Sequence, residues 1–311
     1  LSANGKMTVG GIMSFIQYVR QFNMPITQIA NISNVLQQMA AASERVFEFL
    51  GEEEESQDEK NREKINPEKE HDISFENIVF GYDPEKPVIK NFSASVAPGR
   101  KVAIVGPTGA GKTTLIKLLM RFYDTNSGAV KLDGKDTRMY RRGELRKIFG
   151  MVLQDTWLFS GTIADNIRYG RLSATHEEVV AAAKAAQADH FIRALPDGYD
   201  MVINEEADNI SQGQKQLLTI ARSVLAEPDV LILDEATSNV DTRTEMQIQK
   251  AMDGLMHGRT GFIIAHRLST IKNADCILVI RDGDIVEQGR HEELLKADGF
   301  YAELYNSQFN V

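Results

Sequence analysis

Residues 101–119 constrain this chain more than any other stretch. An apolar run rich in β-branched residues, Lys101-Val102-Ala103-Ile104-Val105, leads into Gly106-Pro107-Thr108-Gly109-Ala110-Gly111-Lys112-Thr113. Thr114-Leu115-Ile116-Lys117-Leu118-Leu119 then carries apolar residues at helical spacing. The order predicts a buried strand, a glycine-rich turn and a helix, the context in which such a turn binds phosphate. Gly106, Gly109 and Gly111 permit backbone conformations that turn successive N–H groups inward around an anion. The helix start adds its positive pole. Lys112 supplies a point charge for β- and γ-phosphates, and the Thr113 hydroxyl is placed for Mg²⁺.

Several function classes are excluded by the rest of the composition. A chain of 311 residues with a 42% hydrophobic share can build a large core, so wholesale disorder is out. The net charge of −9 gives no basic nucleic-acid footprint. Much of that charge lies between Gly51 and His71, where nine acids face four bases and apolar residues are almost absent before Ile65. This stretch reads as a solvated linker. The single cysteine, Cys276, cannot form an internal disulfide and sits in the apolar run Cys276-Ile277-Leu278-Val279-Ile280. The chain begins with Leu1 and shows no signal-peptide pattern, which leads us to expect a piece of something longer.

Ahead of the linker, Arg20 is the only charged residue between Lys6 and Glu44, and apolar residues from Val9 through Ile16, Val19, Ile26 and Ile32 to Met39 recur every three or four positions. That is one stripe of a helix about 60 Å long. Gln17, Gln21, Asn23, Gln28, Asn31 and Asn34 interrupt its hydropathy, and Pro25 is expected to kink it. The pattern suits a soluble amphipathic helix or a membrane span whose polar face lines a water-filled path. Arg20 is compatible with either such a path or a structural role. The helix continues through residues 40–50 and ends at Gly51.

Beyond the linker, Ile73, Phe75, Ile78 and Phe80 alternate as in a strand, and Gly81-Tyr82-Asp83-Pro84 makes a turn. An aromatic such as Tyr82 ahead of a phosphate loop either packs or stacks on a base. Phe149-Gly150-Met151-Val152-Leu153-Gln154 is another apolar strand. Thr175-His176-Glu177-Glu178 opens an alanine-rich helix with a capping box. Ser211 and Gln214, within Ile210-Ser211-Gln212-Gly213-Gln214, also satisfy a capping pattern, so helix initiation alone accounts for them. Val230-Leu231-Ile232-Leu233-Asp234-Glu235 is a buried-strand run ending in two carboxylates, where open α/β sheets place their chemistry. Asp234 can hold Mg²⁺ through water and Glu235 can orient or deprotonate an attacking water. His266 ends a further buried strand, residues 260–265.

Together the phosphate loop, Gln154, the 210–214 stretch, the 230–235 strand, Ser238-Asn239-Val240-Asp241 and His266 resemble the nucleotide-binding domain of an ATP-binding cassette (ABC) transporter. Gln154-Asp155-Thr156-Trp157-Leu158-Phe159 resembles exporters in particular, and residues 5–47 resemble an exporter's last transmembrane helix with its cytoplasmic extension. The resemblance implies an α/β fold: a mostly parallel P-loop NTPase core sheet, an antiparallel β subdomain and an α-helical subdomain, preceded by a long helix. The implied divisions are 1–50 for the helix, 51–71 for the linker and 72–311 for the nucleotide-binding domain.

The same resemblance assigns the site. Tyr82 stacks on adenine, and Gly106, Pro107, Thr108, Gly109, Ala110, Gly111, Lys112, Thr113 and Thr114 bind the triphosphate of ATP. Gln154 touches Mg²⁺ and senses the γ-phosphate, Asp234 holds the metal with Thr113, Glu235 polarises the lytic water and His266 contacts the γ-phosphate. Ser211, Gly213 and Gln214 serve the nucleotide of a second exporter half, homo- or heterodimeric, and Asp241 helps transmit between the two sites. Residues near 158–166 touch the transmembrane part. The implied protein is a multi-pass cell-membrane exporter of a small hydrophobic cargo, drug or lipid-like, with this domain on the cytoplasmic side, no nucleic-acid partner and further transmembrane helices outside this chain. A soluble ABC ATPase clamping nucleic acid or ribosomes is the alternative. One departure stands out, because Gln212 replaces a glycine of the usual Leu-Ser-Gly-Gly-Gln pattern.

Overall fold

The computed structural model describes residues 8–52, 63–66, 70–153, 155–204, 206, 208–234, 240–265 and 268–309. The chain divides into two compact units, Leu1–Gln57 and Asp58–Val311. In the first, α1 (Val9–Gly51) is a single helix of 43 residues, about 65 Å long. The Thr8 hydroxyl caps its start by accepting from the Gly11 N–H at 3.2 Å. Pro25 lies inside the helix, which continues through it, and the Thr27 hydroxyl donates to the Asn23 carbonyl beside the proline. None of its side chains is buried. Among the described residues no helix is long and apolar enough to cross a membrane; the amides spaced along α1 lower its hydropathy, so a membrane role for it rests on the resemblance.

The second unit runs β1 (Ile73–Phe80), β2 (Ile89–Val96), β3 (Lys101–Val105), α2 (Lys112–Leu119), β4 (Ser127–Leu132), β5 (Lys135–Asp136), α3 (Arg142–Lys147) and β6 (Phe149–Val152). There follow β7 (Gly161–Thr162), α4 (Ile163–Arg168), α5 (His176–Ala185), α6 (Asp189–Ala194), β8 (Val202–Ile203), α7 (Gln212–Ala226), β9 (Val230–Asp234) and α8 (Thr242–Leu255). The unit closes with β10 (Thr260–Ile264), α9 (Leu268–Lys272), β11 (Cys276–Arg281), β12 (Asp284–Gly289), α10 (His291–Lys296) and α11 (Phe300–Phe309).

A six-stranded sheet in the order β12-β11-β3-β10-β9-β6 forms the centre, parallel except for β12. A separate antiparallel sheet has the order β2-β1-β4-β5. The central strands read as unbroken apolar runs because both faces are covered, with side chains alternating between two cores. Ala103, Val105, Leu231, Leu233, Ile263, Ile277 and Val279 enter the core shared with helices such as α7, through Leu217, Leu218 and Ala221. Val102, Ile104, Val230, Ile232, Phe262, Ile264, Leu278 and Ile280 enter the other, shared with α2 and the antiparallel sheet. This matches the α/β architecture expected from the sequence.

Phe75 joins the two sheets. It is 2% exposed and meets Phe92 of β2 and Phe262 of β10 edge-on, with centroids 5.2 and 6.1 Å away. Replacing Phe75 with Ala is therefore expected to destabilise the protein by about 3–5 kcal/mol. An unfolding free energy from urea titration within 1 kcal/mol of wild type contradicts that role for the ring.

Candidate functional site

The carboxyl ends of the parallel strands build the site. Ile104 of β3 pairs with Ile264 of β10, which pairs with Asp234 of β9, so all three strands stop at one edge. The 106–111 loop leaves from β3 there. Gly109 and Gly111 have φ of +82° and +104°, where side-chain-bearing residues are strained. A Cβ at Gly106 would lie 2.2 Å from the Ile280 carbonyl oxygen. The loop thus sits directly against β11.

α2 begins at this loop with no side-chain cap and no acid in its first turn. By contrast, Thr162, Thr175, Ser211 and Asp241 cap α4, α5, α7 and α8 with their side chains. The first N–H groups of α2 therefore lack the partner that those helices supply themselves. They open on a cleft of about 360 Å³ lined by Thr108, Gly109, Gly111, Lys112, Thr113, Thr114 and Asp234, with Val88 and Ile264. The Lys112 ammonium donates to the carbonyls of Gly106 and Pro107 at 2.6 and 2.9 Å. Burial pushes the Lys112 ammonium below the usual lysine value, and the Asp234 carboxylate works against that shift. A cation and a carboxylate thus share a cleft headed by open backbone donors, a donor set that fits a metal-bound polyphosphate.

Tyr82 stands beside α2. Its hydroxyl lies 3.3 Å from the Thr114 hydroxyl, and its ring is held edge-on by Phe80 and Tyr123, each with its centroid 5.2 Å away. Lys117 of α2 places its ammonium 5.3 Å from the Tyr82 centroid. The ring is about half exposed, so a face remains for stacking. Sequence reading missed Lys117 and Tyr123, because helix geometry and a β-turn bring them to Tyr82 across some forty residues with no pattern linking them.

Ser211, Gly213 and Gln214 do not line this cleft. Ser211 is the N-cap of α7: its hydroxyl accepts from the Gln214 backbone N–H at 3.3 Å, while the Gln214 side-chain Oε1 accepts from the Ser211 N–H at 2.9 Å. The capping explanation open in the sequence is thus realised. Gly213 is buried, and a Cβ there would fall 2.4 Å from Thr244 Cγ2 and 3.0 Å from Val240 Cγ1, so the close approach needs glycine. Asp241 caps α8 by accepting from the Arg243 and Thr244 N–H groups, and the Thr244 contacts hold its carboxyl below the usual range. Gln154, Glu235 and His266, together with Ser238 and Asn239, lie outside the described residues.

Against known proteins, a family model described as "ABC transporter" matches residues 89–238. The chain is 54% identical over 302 residues to the "Fatty acid ABC transporter ATP-binding/permease protein" of Mycobacterium tuberculosis, covering 97% of this chain and 47% of that protein. It is 44% identical over 305 residues to the "ATP-dependent lipid A-core flippase" of Desulfotalea psychrophila, covering 98% and 53%. Among solved structures, a bacterial Atm1-family ABC exporter with ATP bound superposes with a TM-score of 0.79 at 40% identity, over 96% of this chain and 52% of that one. The chain spans about half the length of the curated relatives it matches.

Because Ser211 closes a capping box within its own chain, S211A should lower stability by about 1 kcal/mol with no nucleotide present, and S211D should recover most of it. Equal thermal unfolding curves for S211A and wild type rule out the cap as a stabilising contact.

Proposed function

The chain belongs to the ABC transporter family, and from that premise we propose that it is the ATP-binding and ATP-hydrolysing part of an exporter half. The observation that carries this reading is the uncapped start of α2, facing a cleft that holds Lys112 and Asp234. A triphosphate satisfies at once the first N–H groups of α2 and the Lys112 charge, which otherwise turns back on its own loop. Thr113 and Asp234, together with Gln154, would hold Mg²⁺, whose charge would offset that of the β- and γ-phosphates. Tyr82 takes the adenine. Glu235 orients the attacking water and His266 meets the γ-phosphate, roles carried by the family resemblance.

The second half of the site comes from a partner in this reading. Ser211, Gly213 and Gln214 present the start of α7 to the nucleotide held by the other half's phosphate loop, again a helix pole meeting an anion. Two nucleotides between two such domains bury charge that draws them together, and cleavage replaces it with mutually repelling products. Trp157, Tyr169 and Leu172 are exposed apolar residues that flank residues 158–166, the stretch expected to touch the transmembrane part.

We further propose a multi-pass membrane location, with α1 as a transmembrane helix and its extension, and with this domain on the cytoplasmic side. The boundaries 1–50, 51–71 and 72–311 belong to the same reading. The cargo proposed is hydrophobic and lipid-like, supported by relatives named for fatty acids and for lipid A-core. The soluble-clamp alternative is not favoured, since these relatives are named as a transporter and a flippase.

Two substitutions separate binding from turnover. Lys112→Ala removes a charge-assisted contact and should weaken binding of a fluorescent ATP analogue by about 10- to 100-fold. Glu235→Gln should keep that affinity while turnover in the paired, membrane-reconstituted protein falls about 100- to 1,000-fold, as for loss of one preorganised group. Unchanged analogue binding in the first, or wild-type turnover in the second, rejects the assignment.

A further inference from the structure

α2 carries a second cation, Lys117, that the phosphate cleft does not use. No carboxylate pairs with it among the described residues. Its ammonium sits over two aromatic rings instead, 5.3 Å from the Tyr82 centroid and 5.9 Å from the Tyr123 centroid. Those rings stand almost perpendicular to one another, at 88°.

Local structure brings the three side chains together. Thr114 and Lys117 lie one helical turn apart on one face of α2, so the same face meets both the hydroxyl and the ring of Tyr82. The helix then ends on Arg121 at φ +53°, whose N–H bonds the Leu118 carbonyl, while the Phe122 N–H bonds the Lys117 carbonyl at 2.8 Å. This left-handed turn reverses the chain and returns Tyr123 to Lys117. Arg121 is held in that conformation by its guanidinium, which donates to the Asp124 carboxylate at 2.8 Å and to the Tyr140 carbonyl at 3.0 Å. The fold, and not the ring contacts alone, therefore sets where Tyr123 stands.

An aromatic ring offers two faces. With an ammonium over one face of Tyr82 and the ring about half exposed, one face is left for a base to stack on. The cation also draws π density toward itself, which lessens the repulsion between the opposite face and the π cloud of a stacked base.

We propose that Lys117 is a positioning residue for the base of the nucleotide: its ammonium, seated between Tyr82 and Tyr123, fixes the Tyr82 ring and directs stacking to the ring's other face. The inference deepens the proposed function above and rests on it, since that reading puts adenine on Tyr82. Two lysines of one helix then divide the ligand between them. Lys112 meets the phosphate tail, and Lys117 acts on the base through a ring.

The test compares ATP with inorganic tripolyphosphate, which has the phosphate tail and no base, by titration calorimetry with Mg²⁺ on the 311-residue chain in detergent. Lys117→Met keeps an apolar stem without the charge, and Lys117→Arg keeps a cation over the rings. K117M should weaken ATP binding about three- to fivefold and leave tripolyphosphate binding unchanged, which also shows that the variant is folded. K117R should bind ATP as wild type does. In a Tyr82→Ala background K117M should cost nothing further, because the ring it acts through is gone. Equal losses for ATP and tripolyphosphate, a loss that persists without Tyr82, or wild-type ATP affinity in K117M overturns the proposal. If wild type binds neither ligand, the proposed function itself fails and takes this inference with it.

Discussion

The backbone hydrogen bonds that set β3 between β11 and β10, and β10 between β3 and β9, all join strands running the same way. Their carboxyl ends therefore come out along one edge, and each delivers something different there. β3 delivers the glycine loop and the start of α2, and β9 delivers Asp234. Those groups are far apart in sequence, so only the ladder register brings Ile104, Ile264 and Asp234 into line. A one-residue slip in any of these pairings would turn its inward-facing aliphatics to the opposite core, which is why two covered faces hold the register firmly.

α7 has an equally central part on the other face. Leu217, Leu218 and Ala221 pack it into the core, while Gly213 brings its first turn close to Val240 and Thr244 at the start of α8. Its polar residues face β6 and the segment after it instead, Ser223 bonding Met151 and Arg222 bonding Trp157. The helix is thus fixed by its apolar side and tied by its polar side to β6 and the residues that follow it.

The phosphate loop and the central sheet were legible in the sequence because their requirements are local. Glycines at positive φ, four large aliphatics in a row and an acid at a strand end each report their own surroundings. The start of α7 was ambiguous for a physical reason: a hydroxyl and an amide three residues apart suit a capping box and an anion site equally well, and the fold displays the cap. The packing around Tyr82 was invisible, since Lys117 and Tyr123 reach the ring only once β1 and α2 are docked. α1 was legible as a helix, yet its spaced amides leave hydropathy unable to distinguish lipid from water as its surroundings. Gln212 was noticed only as a departure, because its partner, the Thr156 hydroxyl, is separated from it by most of the helical region.

The aromatic contact between the two sheets has a consequence for recognition. Tyr82 follows β1 of the antiparallel sheet, whereas the loop leading to Lys112 follows β3 of the central one, and Phe75 packs against Phe262 between those layers. The core thereby acts as a caliper for any ligand gripped at both a ring and a phosphate tail. A buried side chain that never meets such a ligand still sets the span it must have, so repacking Phe75 or Phe262 alters which molecules fit between the jaws.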